Sequence, residues 1–406
     1  MNTAAQWQRL QEVFHAACEL PPEQRERFAR REAGDDDELL ADLLRMIQIE
    51  NGATQRVRTP LQDTQGLIEA ARLLPPGTRF GPWAVDRQIG SGGMGQVYLA
   101  HRADGAYARQ VALKLVGRFE LDARQRAFFE VERQLLAQMS HPAIAQIHDA
   151  GTDGDGRPWL VMEYIEGSPI TSFCEQHALS LRQRIELFAR VCEGVQHAHQ
   201  KGVVHRDITP GNVLVSLIDG IPTPKLIDFG IASSQSGEVQ LAGTPGYMSP
   251  EQADPGQRSD SRSDVYSLGA LLYEVVAGVR PPHDATAGDD GPRPSQRLAT
   301  LAPEDVLTLA RGRGIAPQRL IATLRQDLDW IVARAMQPDP ARRYESVSTL
   351  VADLRRFLDG YPVGAAPARA SVSLRKFIRR HRTATAAAAL VLLSLLGGLG
   401  AAGWAL

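Results

Sequence analysis

The sequence predicts an α+β chain in which a small strand-rich lobe precedes a larger helical one. Three observations carry this reading. Short apolar alternations recur between residues 80 and 165, joined by Gly- and Asp-containing turns. Helical apolar spacing dominates from residue 170 to 360. Short motifs rich in glycine or acids lie at and around the seam, as expected where two packed layers meet.

The elements follow in chain order. Residues 1–75 read as a small helical extension. Gln6–Cys18 places Trp7, Leu10, Val13, Phe14 and Ala17 at helical spacing, Pro21-Pro22 ends that run, and residues 37–49 and 61–74 repeat the pattern. Leu74-Pro75-Pro76-Gly77 marks a boundary. In the strand-rich lobe the expected strands are Trp83–Ile89, Gln96–His101 and Gln110–Val116, and residues 121–139 are expected as a helix. Beyond the seam, Leu181–Lys201 reads as a long amphipathic helix and Asp264–Gly278 as an apolar one. Pro281–Thr300, rich in Pro, Asp and Gly, reads as an exposed loop.

The chain has 406 residues and a net charge of −2, from 45 Lys+Arg against 47 Asp+Glu, which argues against a nucleic-acid partner. The near-balance is local, however. After Asp359 there is no acid but six bases (Arg369, Arg375, Lys376, Arg379, Arg380, Arg382), leaving 39 bases against 47 acids before them. From Thr383 to Leu406 no residue is charged. Such a run exceeds the roughly 20 apolar residues that cross a bilayer, and the basic segment before it matches the positive-inside pattern. Residues 383–406 are therefore expected as a transmembrane helix in contact with the lipid bilayer, and 361–382 as a basic juxtamembrane linker. The body would then be cytoplasmic, at the cell (inner) membrane, in a single-pass arrangement. The chain would be either tail-anchored or a piece lacking an extracytoplasmic part. Cys18, Cys174 and Cys192 are odd in number and widely spaced, which fits reduced thiols rather than a disulfide framework. The polar residues scattered through the N-terminus exclude a signal peptide.

The chemistry begins with lysine usage. Only Lys114, Lys201, Lys225 and Lys376 occur, and Lys114 sits inside the apolar strand Val111–Val116. A buried ammonium is costly without anionic partners. Upstream, Gly90-Ser91-Gly92-Gly93-Met94-Gly95-Gln96-Val97 continues as a strand rather than opening a helix, so the glycines join two strands. A dinucleotide fold needs the opposite arrangement. A Gly-rich hairpin lets backbone N–H groups approach phosphate oxygens. Downstream stand His205-Arg206-Asp207-Ile208-Thr209-Pro210-Gly211-Asn212 and, after a short strand, Asp228-Phe229-Gly230. An acid five positions before an amide, with a second acid on a neighbouring strand, supplies the parts that phosphoryl transfer needs.

In this order and spacing the motifs of residues 80–360 resemble a Hanks-type (eukaryotic-like) bacterial serine/threonine protein kinase domain of the membrane-anchored receptor-like type. The resemblance implies a two-lobe protein kinase fold, with an antiparallel sheet and one helix in the N-terminal lobe and helices in the C-terminal lobe. It implies ATP and Mg²⁺ as cofactors, with Mn²⁺ as an alternative, and protein substrates in a signal-transduction role. Homodimerisation is left open. By the same resemblance Ile89, Gly90, Ser91, Gly92, Gly93, Met94, Gly95, Gln96 and Val97 cover the ATP phosphates. Lys114 pairs the α/β-phosphates, with Glu132 as its ion-pair partner and Glu130 as the alternative. Met162, Glu163 and Tyr164 form the linker between the lobes, with backbone groups that hold adenine and Met162 gating the pocket. Asp207 is the catalytic base, and Asn212 and Asp228 are metal ligands. Ser249-Pro250-Glu251 stands where the family has Ala-Pro-Glu, Arg343 is the expected partner of Glu251, and Asp264 braces the catalytic loop.

Thr209 departs from the pattern, because the family usually carries Lys there, on the γ-phosphate; a hydroxyl can donate a hydrogen bond but brings no charge. That loss is the one sequence feature pointing to a scaffold without transfer activity. A small-molecule phosphotransferase shares the catalytic loop but is not expected to carry the Gly243–Glu251 segment. Arg206 beside Asp207 implies control by phosphorylation of the activation segment. The hydroxyls available there are Ser233, Ser234, Ser236 and Thr244.

Overall fold

The computed structural model describes residues 22–34, 36, 39–40, 43–44, 73–92, 95–105, 109–116, 139–154, 156–229, 244, 246–254, 259–282, 293–367 and 394. The chain divides into two compact units, Met1–Leu73 and Leu74–Leu406. In the first, helix α1 (Pro22–Ala33) starts at Pro22; the expected helix Gln6–Cys18, which Pro21-Pro22 would end, lies outside the described residues. A proline at the first helical position lacks only an N–H that would have no intrahelical partner anyway, so it initiates as readily as it terminates. Ala29, Ala33, Leu39 and Leu43 are buried, and the Asp36 carboxylate accepts the Leu39 N–H at 3.0 Å.

The second unit opens with a six-stranded antiparallel sheet: β1 (Arg79–Phe80), β2 (Trp83–Gly92), β3 (Gly95–Arg102), β4 (Gln110–Val116), β5 (Ile147–Thr152) and β6 (Pro158–Glu163), in the order β1-β2-β3-β4-β6-β5. The three strands expected from apolar alternation are all present. The pleat sorts their side chains: Val111, Leu113 and Leu115 join Tyr98, Trp83, Trp159 and Val161 in one apolar cluster, while Ala112 turns the other way with Leu160 and Met162. Lys114 alternates with its neighbours onto the Ala112 face. The expected helix at 121–139 lies outside the described residues, apart from Met139.

The lower lobe is built around α3 (Leu181–Gln200) and α5 (Ser261–Ala277), with α2 (Ile170–Gln176) and α4 (Pro250–Ala253) beside them. Ser180 and Gln183 form a reciprocal capping box at the start of α3. All of α5 is buried except Ser261, Arg262 and Glu274, so it reads as apolar all round because it is the lobe's axis. It ends at Gly278 (φ 79°), whose N–H closes onto the Glu274 carbonyl at 2.7 Å. Strands β7 (Ser168–Pro169), β8 (Val213–Ile218) and β9 (Ile221–Leu226) form a three-stranded sheet. The β8–β9 hairpin turns on Asp219-Gly220, both at positive φ.

Helices α6 (Pro294–Thr300), α7 (Pro303–Gly312), α8 (Pro317–Thr323), α9 (Asp329–Ala335) and α10 (Val347–Leu358) complete the lobe. Helix α6 corrects the expectation of an exposed loop across Pro281–Thr300. Pro294, Ser295 and Leu298 are buried, and the Ser295 N–H and hydroxyl donate to the Asp329 carboxylate at 3.0 and 2.5 Å. A tertiary anchor thus overrides a composition that reads as loop. Among the described residues no helix is long and apolar enough to cross a membrane. The expected spanning segment 383–406 lies outside them except for Ser394, and so does most of the linker 361–382.

Candidate active site

The catalytic-loop motif is held from behind. Asp264, fully buried on α5, accepts the His205 N–H through Oδ2 and the Arg206 N–H through Oδ1, both at 2.8 Å, and His199 Nε2–H donates to Oδ2 at 2.7 Å. Burial alone would raise the Asp264 pKa, but the hydrogen bonds from His199 and from the His205 amide together hold it below the usual carboxylate range. This grip fixes Arg206 at φ 67°, a conformation few non-glycine residues adopt. His205, also fully buried, donates from Nε2 to the Ile227 carbonyl at 3.1 Å and accepts the Asp207 N–H at Nδ1. Burial outweighs the nearby Asp264 and Asp207 carboxylates and keeps its pKa low, so the ring is neutral. Its ring lies 4.5 Å from that of Phe229.

Asp207 therefore emerges from a loop fixed through its main chain. Asn212 Nδ2 donates to both the Asp207 carbonyl and Oδ2 at 2.8 Å, while Asp207 Oδ1 is buried with no hydrogen-bond partner among the described residues. Asn212 is placed by the 3₁₀ turn Pro210–Asn212, and its carbonyl accepts the Ile227 N–H at 3.0 Å. That bond brings the loop against the chain leaving β9, where Asp228 takes φ 57°. Lys114, in register between Val97 and Leu160, reaches across to Asp228: Nζ and Oδ1 are 2.9 Å apart, with both groups mostly covered.

Lys114, Asp207, Asn212 and Asp228 are thus brought to one place from both lobes. The Gly-rich hairpin lies on the adjoining strand of Lys114: Ile89, Gly90, Ser91 and Gly92 end β2, and Gly95, Gln96 and Val97 begin β3. Gly95 has φ 135°, which suits glycine alone. Gly93, Met94, Glu130, Glu132, Ser233, Ser234 and Ser236 lie outside the described residues. The described partner of Lys114 is Asp228.

Met162 is buried beside Ala112 and Leu160, with Val97 and Tyr164 packed against them, an apolar wall next to Lys114. Glu163, whose backbone is expected at the nucleotide, pairs through its side chain with Lys225: Nζ is 2.7 Å from Oε2. Nothing in the local sequence indicates this pair; the scarcity of lysine is the only available hint. Thr244 is exposed, Ser249 caps α4, and the Gln252 side chain donates to the Arg206 carbonyl at 2.8 Å. Tyr247 Oη donates to Glu274, whose pKa is pushed up by burial. The expected Glu251–Arg343 pair forms as a buried fork, with Nη1–Oε1 at 2.6 Å and Nη2–Oε2 at 2.7 Å.

Among the described residues no cluster of three or more His, Cys, Asp or Glu could hold a metal alone. The Asn212 amide oxygen and the Asp228 carboxylate instead fit a hard cation that keeps several water or phosphate oxygens, as magnesium does. A carboxylate oxygen with no partner among the described residues, an amide, a second carboxylate and a lysine brought to one place can orient a hydroxyl and hold a metal-bound polyphosphate.

The protein kinase domain model matches residues 83–346. The chain is 34% identical over 306 residues to a probable serine/threonine-protein kinase of Streptomyces coelicolor, covering 72% of this chain and 42% of that protein. It is 35% identical over 288 residues to serine/threonine-protein kinase PknB of Mycobacterium tuberculosis, covering 68% of this chain and 42% of PknB. The crystal structure of the M. tuberculosis PknI kinase domain aligns with a TM-score of 0.52 and 26% identity, covering 70% of this chain and 98% of that domain. Under half the length of these two curated relatives is spanned.

Proposed function

The chain belongs to the protein kinase family, and we propose that it transfers the γ-phosphoryl group of ATP to serine and threonine hydroxyls of proteins. The observation that carries this reading is the buried, unpartnered Oδ1 of Asp207, fixed by Asn212 beside Asp228 and Lys114. Asp207 would accept the proton of the incoming hydroxyl as that oxygen bonds to the γ-phosphorus and the bond to the β-phosphate oxygen breaks, releasing ADP. Lys114 would turn from Asp228 to the α/β-phosphates. Asn212 and Asp228 would hold magnesium, or manganese in its place. Such an ion, when bound, neutralises charge on the phosphate oxygens. The residues of the Gly90–Val97 hairpin would cover the phosphates, and the wall of Val97, Ala112 and Met162 would face the base.

We extend the proposal to autophosphorylation at Thr244 or at Ser233, Ser234 or Ser236. We extend it also to anchoring at the cell membrane through residues 383–406, with the kinase domain cytoplasmic. Thr209, buried beside the loop, favours a second reading, a nucleotide-binding scaffold without transfer. Radiolabel transfer from Mg–ATP to a generic protein substrate separates the two. The wild type should transfer, while Asp207→Asn and Lys114→Met should each lose at least about 100-fold with the fold intact, the scale of removing a proton acceptor or a charge clamp. Equal, near-zero signals from wild type and Asp207→Asn would establish the scaffold. Phosphopeptide mapping of the wild type should place phosphate at one or more of the four hydroxyls; phosphate found only elsewhere would end the autophosphorylation proposal.

A further inference from the structure

Lys225 stands on β9 three residues before Asp228, and its Nζ lies 2.7 Å from Glu163 Oε2 with both side chains mostly covered (14% and 30% exposed). Glu163 is the last residue of β6, where the upper sheet gives way to the chain leading into the lower lobe. The same Oε2 accepts the Gln146 N–H at 3.3 Å, and the Glu163 N–H donates to the Gln146 carbonyl at 2.8 Å, so the carboxylate sits on a fixed backbone.

The other end is equally rigid. Leu226 N–H donates to the Ala143 carbonyl at 2.8 Å, Ala145 N–H donates to the Leu226 carbonyl at 2.9 Å, and Ile227 N–H donates to the Asn212 carbonyl at 3.0 Å. Behind the pair, Arg109 Nη2 donates to His148 Nε2 at 2.7 Å, and burial, followed by Arg109, keeps the His148 pKa low. His148 therefore stays neutral and does not compete with Lys225 for Glu163. One ion pair joins two segments that are 62 positions apart in sequence and each clamped by main-chain hydrogen bonds.

We infer that Lys225 is a positioning residue: by tying the end of β6 to the strand that delivers Asp228, it holds the two ends of the nucleotide cleft at a fixed separation. The inference rests on the kinase reading above. The tie gives the Glu163 side chain a structural role beside the backbone role expected of that residue. Rupture of the tie removes this side-chain link and leaves the separation of the base-facing and metal-facing ends to the main-chain bonds through residues 143–146. Nucleotide affinity then falls, while Asp207, held by Asp264 and Asn212, keeps its place for the transfer step.

The test uses the full chain, with Mg–ADP binding followed by calorimetry and transfer kinetics measured on the same preparations. Lys225→Met should weaken Mg–ADP binding and raise the KM for ATP by about three- to tenfold, the range of a partly covered ion pair, with kcat within about twofold. Glu163→Gln should give a similar shift in affinity, the double variant should be no weaker than the weaker single one, and Lys225→Arg should recover most of the loss. Wild-type affinity in Lys225→Met would overturn the inference, as would single-variant losses that multiply in the double variant or a fall in kcat at constant KM. A wild type that binds no Mg–ADP would overturn the kinase reading itself, and this inference with it. A wild type that binds Mg–ADP beside an unchanged Lys225→Met would overturn the tie alone.

Discussion

Replacing Arg343 by methionine tests the anchor between α4 and the end of the lower lobe. The Arg343 side chain is fully buried and donates five hydrogen bonds: Nη1 and Nη2 to the Glu251 carboxylate at 2.6 and 2.7 Å, Nε to the Gln337 carbonyl at 2.7 Å, Nη1 to the Arg262 carbonyl at 2.9 Å, and Nη2 to the Pro338 carbonyl at 3.0 Å. Methionine keeps much of the packing against Tyr266, over whose ring the guanidinium lies at 5.0 Å. It leaves a buried carboxylate whose one other side-chain donor among the described residues is the Ser263 hydroxyl, at 2.7 Å. Stranding one member of a buried pair costs about 3–5 kcal/mol, and three carbonyls also lose donors, so a loss near the upper end, about 4–5 kcal/mol, is expected. In a domain of this size that corresponds to a drop of about 8–10 °C in melting temperature.

The pH dependence has a definite sign. Burial would raise the Glu251 pKa, but the hydrogen bonds from Arg343 and Ser263 bring it below its ordinary 4.5. The wild type therefore holds this stabilisation above that value and loses it as pH falls through the lower folded one. In Arg343→Met the uncompensated carboxylate titrates above its ordinary value, so protonation relieves the variant first and its deficit narrows as pH drops from 7 towards 5. Urea unfolding and calorimetry at several pH values measure both effects. A deficit below about 1 kcal/mol at pH 7, or one that does not narrow in acid, would refute the reasoning. Adding Glu251→Leu should recover most of the loss, since no buried charge then remains.

Two further outcomes are expected. Thr209→Lys should raise kcat by about tenfold, by restoring a cation where charge develops on the γ-phosphate; radiolabel kinetics showing no gain in a variant of unchanged melting temperature would count against that placement. Gly278→Ala should lower stability by at least about 2 kcal/mol, because an added Cβ at φ 79° would lie 2.6 Å from both Arg313 Nη2 and Leu309 Cδ2. Arg313 cannot yield, being buried and bonded to the Val276 carbonyl at 3.0 Å, and calorimetry measures the effect.

Much of the site was legible because its parts are short and local. The strand around Lys114, the loop from His205 to Asn212 and the Asp228 turn each announce themselves within a few residues, and resemblance supplied the distant partnership of Glu251 with Arg343. What stayed hidden depends on tertiary placement. Glu163 was placed in the linker by resemblance and Lys225 was given no role, and only the fold brings their side chains together. Helix α6 was read as loop because its stabiliser, Asp329, lies 34 positions away. The cluster in which Arg184 and Arg313 share Glu175, at 2.8 and 3.2 Å, left no local trace either.

The grip of Asp264 on the loop has an evolutionary consequence. Within the loop it holds two peptide N–H groups and no side chain, so the mount of Asp207 does not depend on the Arg206 side chain, while Ile208 is packed in the core of the lower lobe. Thr209 is the kind of tinkering such a mount tolerates, and the same freedom would let a lineage slow, retune or abandon catalysis one side chain at a time.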